Sequence, residues 1–219
     1  MVRMYTFRML IRILIADDHR LLAETFKILI EQQPDMQVVG LALDGRDAVR
    51  QVEALRPDIV VMDLAMPELN GAEATRALAT RQPGCRVVVV SAYTDAERVR
   101  RALKAGAQGY LSKSGGADDL IAAIRAVHAG QRFLGPSVAD VVINDDGAAV
   151  DPVERLSVRE REILQLLAEG HTGAVIAQRL SLSQKTVETY RARVVEKLGI
   201  RDLPGLVRFA IQRGIVTLE

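Results

Sequence analysis

The chain has 219 residues, enough for two small domains at roughly 100–200 residues each. Apolar residues make up 49% of it and charged residues 26%, an ordinary globular balance that excludes a mainly disordered or fibrous chain. The net charge of +1 conceals little: residues 1–150 carry 18 Lys/Arg against 19 Asp/Glu and residues 151–219 carry 11 against 9, so neither half announces nucleic acid by charge alone.

Residues 1–10 precede the first strand signal as an extension, in which Met1, Met4 and Met9 are all candidate starts. Arg3, Arg8 and Arg12 interrupt every apolar run there, leaving no secretory core. The longest uncharged stretch, Gly170 to Gln178, has nine residues, against about 20 for a membrane-spanning helix. The lone Cys85 cannot close an internal disulfide and reads as a small apolar residue. Together these predict a cytoplasmic protein without a membrane partner.

From residue 11 to about 130, short apolar runs alternate with helical patterns. The runs are Ile13 to Ala16, Met36 to Ala42, Ile59 to Met62, Val87 to Val90 and Gln108 to Leu111, nearly continuous in the manner of strands covered on both faces. Stripes such as Leu22, Phe26 and Leu29, then Val49, Val52 and Leu55, and finally Leu120, Ile124 and Val127 give amphipathic helices between and after them. The prediction is an α/β, flavodoxin-like doubly wound sheet of five parallel strands. Residues 131–154 form a linker in which Pro136 opens a short helix through Ile143, followed by the exposed Asn144-Asp145-Asp146-Gly147 and Asp151-Pro152. Residues 155–219 predict a small all-α domain of four helices. Ser157 with Glu160 makes a capping box, Thr172 and Ser183 cap the second and third, and Asp202 with Pro204 opens the last; Gly170, Gly199 and Gly214 end three of them.

Ligands of open α/β sheets sit beyond the carboxyl ends of the strands. There the chain places Asp17 and Asp18 after the first run, Asp63 after the third, Ser91 after the fourth and Lys113 after the fifth. An isolated aspartate after a strand is ordinarily a turn or helix cap, but residues in order at matching strand ends form a site. Three carboxylates so placed repel one another unless a hard cation joins them, and Mg²⁺ suits oxygen ligands. A lysine and a hydroxyl add donors for phosphoryl oxygens, so phosphoryl transfer to a carboxylate is the simplest chemistry. His19 opens the first helix and is assigned none.

The Asp17-Asp18 pair, Asp63 with Pro67 and Gly71, Ser91-Ala92, and Tyr110 three before Lys113 resemble the receiver domain of two-component response regulators. That resemblance implies that Asp63 accepts the phosphoryl group, that Asp18, Asp63 and the Ala65 carbonyl bind Mg²⁺ with Asp17 acting through water, that Lys113 and Ser91 meet the phosphoryl oxygens, and that Tyr110 swings inward. It also implies a sensor histidine kinase as donor. The fourth-helix face, with Arg98, Arg101 and Lys104 opposite Asp118 or Asp119, is expected to form a phosphorylation-dependent homodimer.

In the helical half, only Ser181-Leu182-Ser183 joins the second and third helices, the short turn of a helix-turn-helix. With Val187, Val194 and Leu198 inward, Lys185, Glu188, Thr189 and Ala192 line a face that fits the major groove, Arg191, Arg193 and Lys197 reach phosphates, and Glu188 accepts from cytosine. Leu156-Ser157, Arg159-Glu160-Arg161-Glu162, Ile176-Ala177, Thr186-Val187-Glu188 and Lys197-Leu198-Gly199 resemble the LuxR-type helix-turn-helix. Thr186 joins the expected DNA contacts on that resemblance. Gly173-Ala174-Val175 replaces the family's common Asn-Lys-Glu, which removes phosphate donors from the second helix, and Tyr190 stands where His is usual. A receiver joined to such a domain resembles the NarL/FixJ class, which implies promoter DNA as the target, RNA polymerase as a further contact, and a regulator rather than an enzyme. Two other classes are weighed against it. An aspartate-nucleophile phosphatase resembles a pattern with a second Asp two residues after the first, where this chain has Leu64-Ala65. A ligand-sensing LuxR-type regulator needs an apolar pocket where this chain has acids.

Overall fold

The computed structural model describes residues 10–143 and 151–216, the side chains of residues 140–143 apart. The extension before Leu10 and the turn at residues 144–147 therefore lie outside the described residues.

The first half is a parallel sheet between two layers of helices. Strands β1 (Ile11–Ala16), β2 (Met36–Ala42), β3 (Ile59–Met62), β4 (Arg86–Ser91) and β5 (Gly109–Ser112) take the order β2-β1-β3-β4-β5. A two-residue β6 (Phe133–Leu134) pairs with Gly109 and Tyr110 and makes a sixth, edge strand. It is too short to carry a period, so the five-strand expectation omits it.

Alternate strand residues feed two cores. Leu14, Ala16, Val60, Met62, Val87 and Val89 pack under α2 (Gly45–Leu55), α3 (Gly71–Arg81) and α4 (Ala96–Ala105). Ile13, Ile15, Ile59, Val61, Val88 and Val90 pack under α1 (Arg20–Glu31) and α5 (Ala117–His128). This two-sided burial is why the runs are apolar throughout instead of alternating. The short helix expected at Pro136 is present as α6 (Pro136–Ile143), and it contributes Val138 to the first of these cores.

The second half begins with a 3₁₀ turn at Pro152–Arg155, then α7 (Val158–Ala168), α8 (Gly173–Leu180), α9 (Gln184–Leu198) and α10 (Leu203–Gln212). Each cap is realised. Ser157 Oγ accepts from Glu160 N while Glu160 Oε2 accepts from Ser157 N at 2.7 Å. Thr172, Ser183 and Asp202 accept from the backbone three residues on, and Gly170, Gly199 and Gly214 are left-handed. Helix α7 is the hub. Its Leu164 packs with Val194, Leu206 and Ala210, and its Ile163, Leu166 and Leu167 pack with Ile176, Leu180 and Val187.

Candidate functional site

Parallel register brings the carboxyl ends of β1, β3, β4 and β5 to one rim. Asp63 is 3% exposed, and its backbone N–H is tied to the Ala16 carbonyl at 2.8 Å. Its Oδ1 accepts from Leu64 N at 2.8 Å, which turns Oδ2 towards Asp17, Asp18 and Lys113. Gly71 is required behind it, because a Cβ there would lie 1.9 Å from the Asp63 carbonyl oxygen.

Ligand atoms of Asp17, Asp18, His19 and Asp63 all lie within 4.8 Å of one another. Lys113 Nζ is 2.8 Å from Asp17 Oδ2 and 3.0 Å from Asp63 Oδ2. The second contact is an ion pair, and Lys113 is the only group within reach of the buried Asp63 Oδ2 among the described residues. Burial pushes the Asp63 carboxyl above its usual range; Asp17 and Asp18 add to this and Lys113 opposes it. Burial works against the charge of Lys113, but Asp63 and Asp17 outweigh it and hold the ammonium protonated. Three carboxylates this close, with one lysine between them, leave more negative than positive charge, and such hard oxygen donors fit a divalent cation of the Mg²⁺ type. Ala65 lines the same cleft. So does His19, which the sequence reading left without chemistry: its Nδ1 stands 3.0 Å from Asp18 Oδ1, although its side chain is 69% exposed.

Ser91 is fully buried and its Oγ accepts from Tyr93 N at 3.2 Å. Tyr110 is also fully buried, with its hydroxyl donating to the Tyr93 carbonyl at 2.6 Å. The ring expected to swing inward is thus inward in this structure. The Arg98 guanidinium lies over the Tyr93 ring at 4.3 Å, which links the rim to α4.

In the helical half Val187 and Val194 are buried while Lys185, Glu188, Thr189, Ala192, Arg193 and Lys197 are exposed, the face drawn from the sequence. Thr186 and Arg191 are half-buried, and Arg191 lies 3.8 Å from Glu188. A Cβ on Gly173 would lie 3.3 Å from Glu188 Oε1, so the departure at the start of α8 places a small residue beside that acid. Lys197 is committed more than expected, with Nζ 2.6 Å from the buried Glu160 Oε2. Burial pushes the Glu160 carboxyl up, but bonds from Lys197 and Ser157 outweigh it and hold it below its usual range.

What the sequence reading missed is a polar interface between the halves. Gln165 of α7 is fully buried. Its Oε1 accepts from Asn70 N and Asn70 Nδ2, each at 2.9 Å, and its Nε2 donates to the Met66 carbonyl at 3.0 Å. Arg161 Nε is 2.6 Å from Glu73 Oε1, both side chains being buried, and Arg179 pairs with Glu68. On α4, Arg101 pairs with Asp151 at 2.6 Å, Lys104 with Glu154 at 2.9 Å and Glu97 with Arg213. Arg98 donates to the carbonyls of Ile211 and Gln212 at the end of α10. The three cations expected to meet Asp118 or Asp119 of another copy therefore serve the chain's own second half here.

The family described as the response regulator receiver domain matches residues 13–125, and the family described as bacterial regulatory proteins, luxR family, matches residues 154–210. The response regulator GacA of Pseudomonas aeruginosa is 37% identical over 210 residues, 94% of this chain and 98% of that protein. The transcriptional regulatory protein DegU of Brevibacillus brevis is 35% identical over 227 residues, 95% of this chain and 96% of that protein. Among solved structures, the response regulator ChrA of a heme-sensing two-component system superposes with a TM-score of 0.54 at 31% identity, over 94% of this chain and 99% of that one. The response regulator RcsB in complex with DNA superposes with a TM-score of 0.59 at 25% identity, over 91% and 97%.

Proposed function

This chain belongs to the response regulators that join a receiver domain to a DNA-binding domain of the LuxR family, and from that premise we propose that Asp63 is the residue whose phosphorylation controls its binding to promoter DNA. The observation that carries the assignment is the buried Asp63 carboxylate, with one oxygen fixed by Leu64 N and the other, free of backbone hydrogen bonds, held 3.0 Å from the Lys113 ammonium. That free oxygen is the nucleophile. As it bonds to phosphorus, the P–N bond of a phosphohistidine on a sensor kinase breaks, the imidazole departs with the electron pair, and an acyl phosphate remains on Asp63. Asp17, Asp18, Asp63 and the Ala65 carbonyl would hold Mg²⁺, which when bound offsets the negative charge of the transferring group. Lys113, 3.0 Å from Asp63 Oδ2, supplies a second cation, and Ser91 donates to a phosphoryl oxygen.

The acyl phosphate replaces the single charge of Asp63 by roughly −1.5 to −2 beside Asp17 and Asp18, and only groups that approach the new oxygens can use that energy. Ser91 and Tyr110, through the Tyr93 carbonyl and Arg98, are the groups placed to transmit it to α4. A homodimer on that face requires Arg98, Arg101 and Lys104 to exchange their present partners for acids of a second copy. Two output domains then read paired half-sites through α9, Glu188 and Thr189 facing bases while Lys185, Thr186, Arg191, Arg193 and Lys197 serve the backbone and groove edges, and RNA polymerase is the next contact.

The test is incubation with a small-molecule phosphodonor and Mg²⁺, followed by borohydride reduction to trap the acyl phosphate and by sedimentation. Trapping at Asp63 with a shift to dimer is expected. Continuous release of phosphate without trapped label would support a phosphatase instead, and unchanged sedimentation would remove the dimer.

A further inference from the structure

We propose that Gln165, a residue of the DNA-binding domain, is a positioning residue for the phosphoryl-transfer loop of the receiver, holding that loop back and so slowing the phosphorylation of Asp63. The inference rests on Asp63 being the phosphoacceptor. The output domain is then a regulator of the receiver's chemistry as well as the recipient of its signal.

The loop in question joins Asp63 at the end of β3 to α3. It carries Ala65, whose carbonyl belongs to the expected cation site, and the Gln165 amide donates to the carbonyl of the next residue, Met66. The same side chain accepts from both the backbone and the side-chain amide of Asn70, the residue that caps α3 through Glu73 N. With a fourth bond from its Nε2 to Glu169 Oε1 at 2.8 Å, the Gln165 amide uses both donors and both acceptor sites. It is fully buried, so water cannot replace a bond that is lost. Glu68, in the middle of the loop with a left-handed backbone of φ 65°, is tied across the same interface to Arg179. Gly71 presses the far end of the loop against the Asp63 backbone. Turning the Ala65 carbonyl therefore strains bonds made by the other domain at Met66, Glu68 and Asn70. By reciprocity at equilibrium, whatever favours the phosphorylated loop weakens docking by the same factor, and the rate of labelling rises to the extent that the loop moves before the phosphoryl group is transferred. The control acts through the loop and not by covering α9, since Lys185, Glu188, Thr189 and Arg193 remain exposed with the domains docked.

A hydrogen bond of ordinary net strength is worth about fivefold in an equilibrium, so losing the three that cross the interface loosens this tie by on the order of 100-fold. The experiment compares full-length wild type, Gln165→Leu, Gln165→Glu, Glu68→Ala and the Gln165→Leu/Glu68→Ala pair. It measures initial rates of Asp63 labelling by phosphoramidate with Mg²⁺, and the radius of gyration by small-angle scattering. Gln165→Leu is expected to label at least about threefold faster and to expand, because part of that looser tie reaches the rate. Gln165→Glu keeps the acceptor for Asn70 but sets an oxygen against the Met66 carbonyl, and it is expected to behave alike. The pair should give less than the product of the single effects, since both changes free one loop. In the wild type, beryllium fluoride with Mg²⁺ should expand the molecule without any substitution. Rates no faster than wild type in both Gln165 variants, effects of the pair that multiply, or a wild type whose scattering ignores beryllium fluoride while Asp63 still labels would each overturn the proposal. A wild type that does not label at Asp63 would overturn the reading beneath it.

Discussion

Removing the ammonium of Lys113 separates its partnership with the phosphoryl group from any part in holding metal. In Lys113→Ala, Asp17 and Asp63, which are 2% and 3% exposed in the wild type, lose a cation at 2.8 and 3.0 Å. Each contact amounts to about 5 kcal/mol of gross attraction at an effective dielectric constant near 20, most of it offset by desolvation. Breaking a buried pair by deleting one member costs about 3–5 kcal/mol, and partial solvent access to the lysine puts this case near the lower figure. A loss of about 3 kcal/mol lowers the melting temperature of a receiver-sized domain by roughly 10 °C. The three carboxylates are then left to a cation alone, so Mg²⁺ at about 100 times its dissociation constant should return about 2.7 kcal/mol. Melting curves in EDTA and in Mg²⁺ for both proteins measure this. The variant should melt lower than wild type in EDTA, gain at least as much as wild type does on adding Mg²⁺, and still accept phosphate slowly. A variant that melts like wild type in EDTA, or whose melting ignores Mg²⁺, refutes the division of roles between Lys113 and the acids.

Asp63→Asn should keep the fold and take no label from phosphoramidate, because the amide is neither a nucleophile nor an anionic ligand; labelling at the wild-type rate would show the site to be elsewhere. A dimer neutralising some six phosphates should bind DNA with a log–log salt slope near −5, and the exposed Arg193→Ala should flatten it by about two units with little change in sequence preference. Lys197→Ala should flatten it less and lower the melting temperature as well, since Glu160 loses a partner at 2.6 Å; equal slopes for the two variants would contradict the pairing. Glu188→Ala should alter the motif selected from random DNA and leave the slope nearly unchanged. Cys85, whose thiol burial pushes up to about 12, should resist alkylation at pH 8 in the folded protein and react at once in denaturant; rapid native labelling would place it at the surface.

The parts of this molecule written in the sequence are the ones whose signals are local. Runs such as Ile59–Met62 bury both faces, caps such as Ser157 act three residues away, and Asp17, Asp18, Asp63 and Lys113 follow strands while Ser91 ends β4, so parallel topology alone gathers them at one rim. The interface between the halves has no such periodicity. Gln165 meets Asn70 across 95 residues, and its only sequence signal is an amide inside the otherwise apolar Ile163–Leu167, a helix segment buried all round. Arg98, Arg101 and Lys104 read as a face for a second copy because, apart from the local Asp95 and Glu97, the groups that hold them, Ile211, Gln212, Asp151 and Glu154, lie 50 or more residues downstream.

Whether a phosphoryl group on Asp63 changes DNA binding is tested by one titration that reads the label and the affinity together. Full-length wild type and Asp63→Asn, each treated with phosphoramidate and Mg²⁺, are titrated against a DNA selected by the phosphorylated protein, with the label mapped in the same samples. Wild type should carry its label on Asp63 and bind more tightly after treatment, while Asp63→Asn stays unlabelled and unchanged. Equal affinity of labelled wild type and treated Asp63→Asn, or a label on another residue, would contradict control by Asp63.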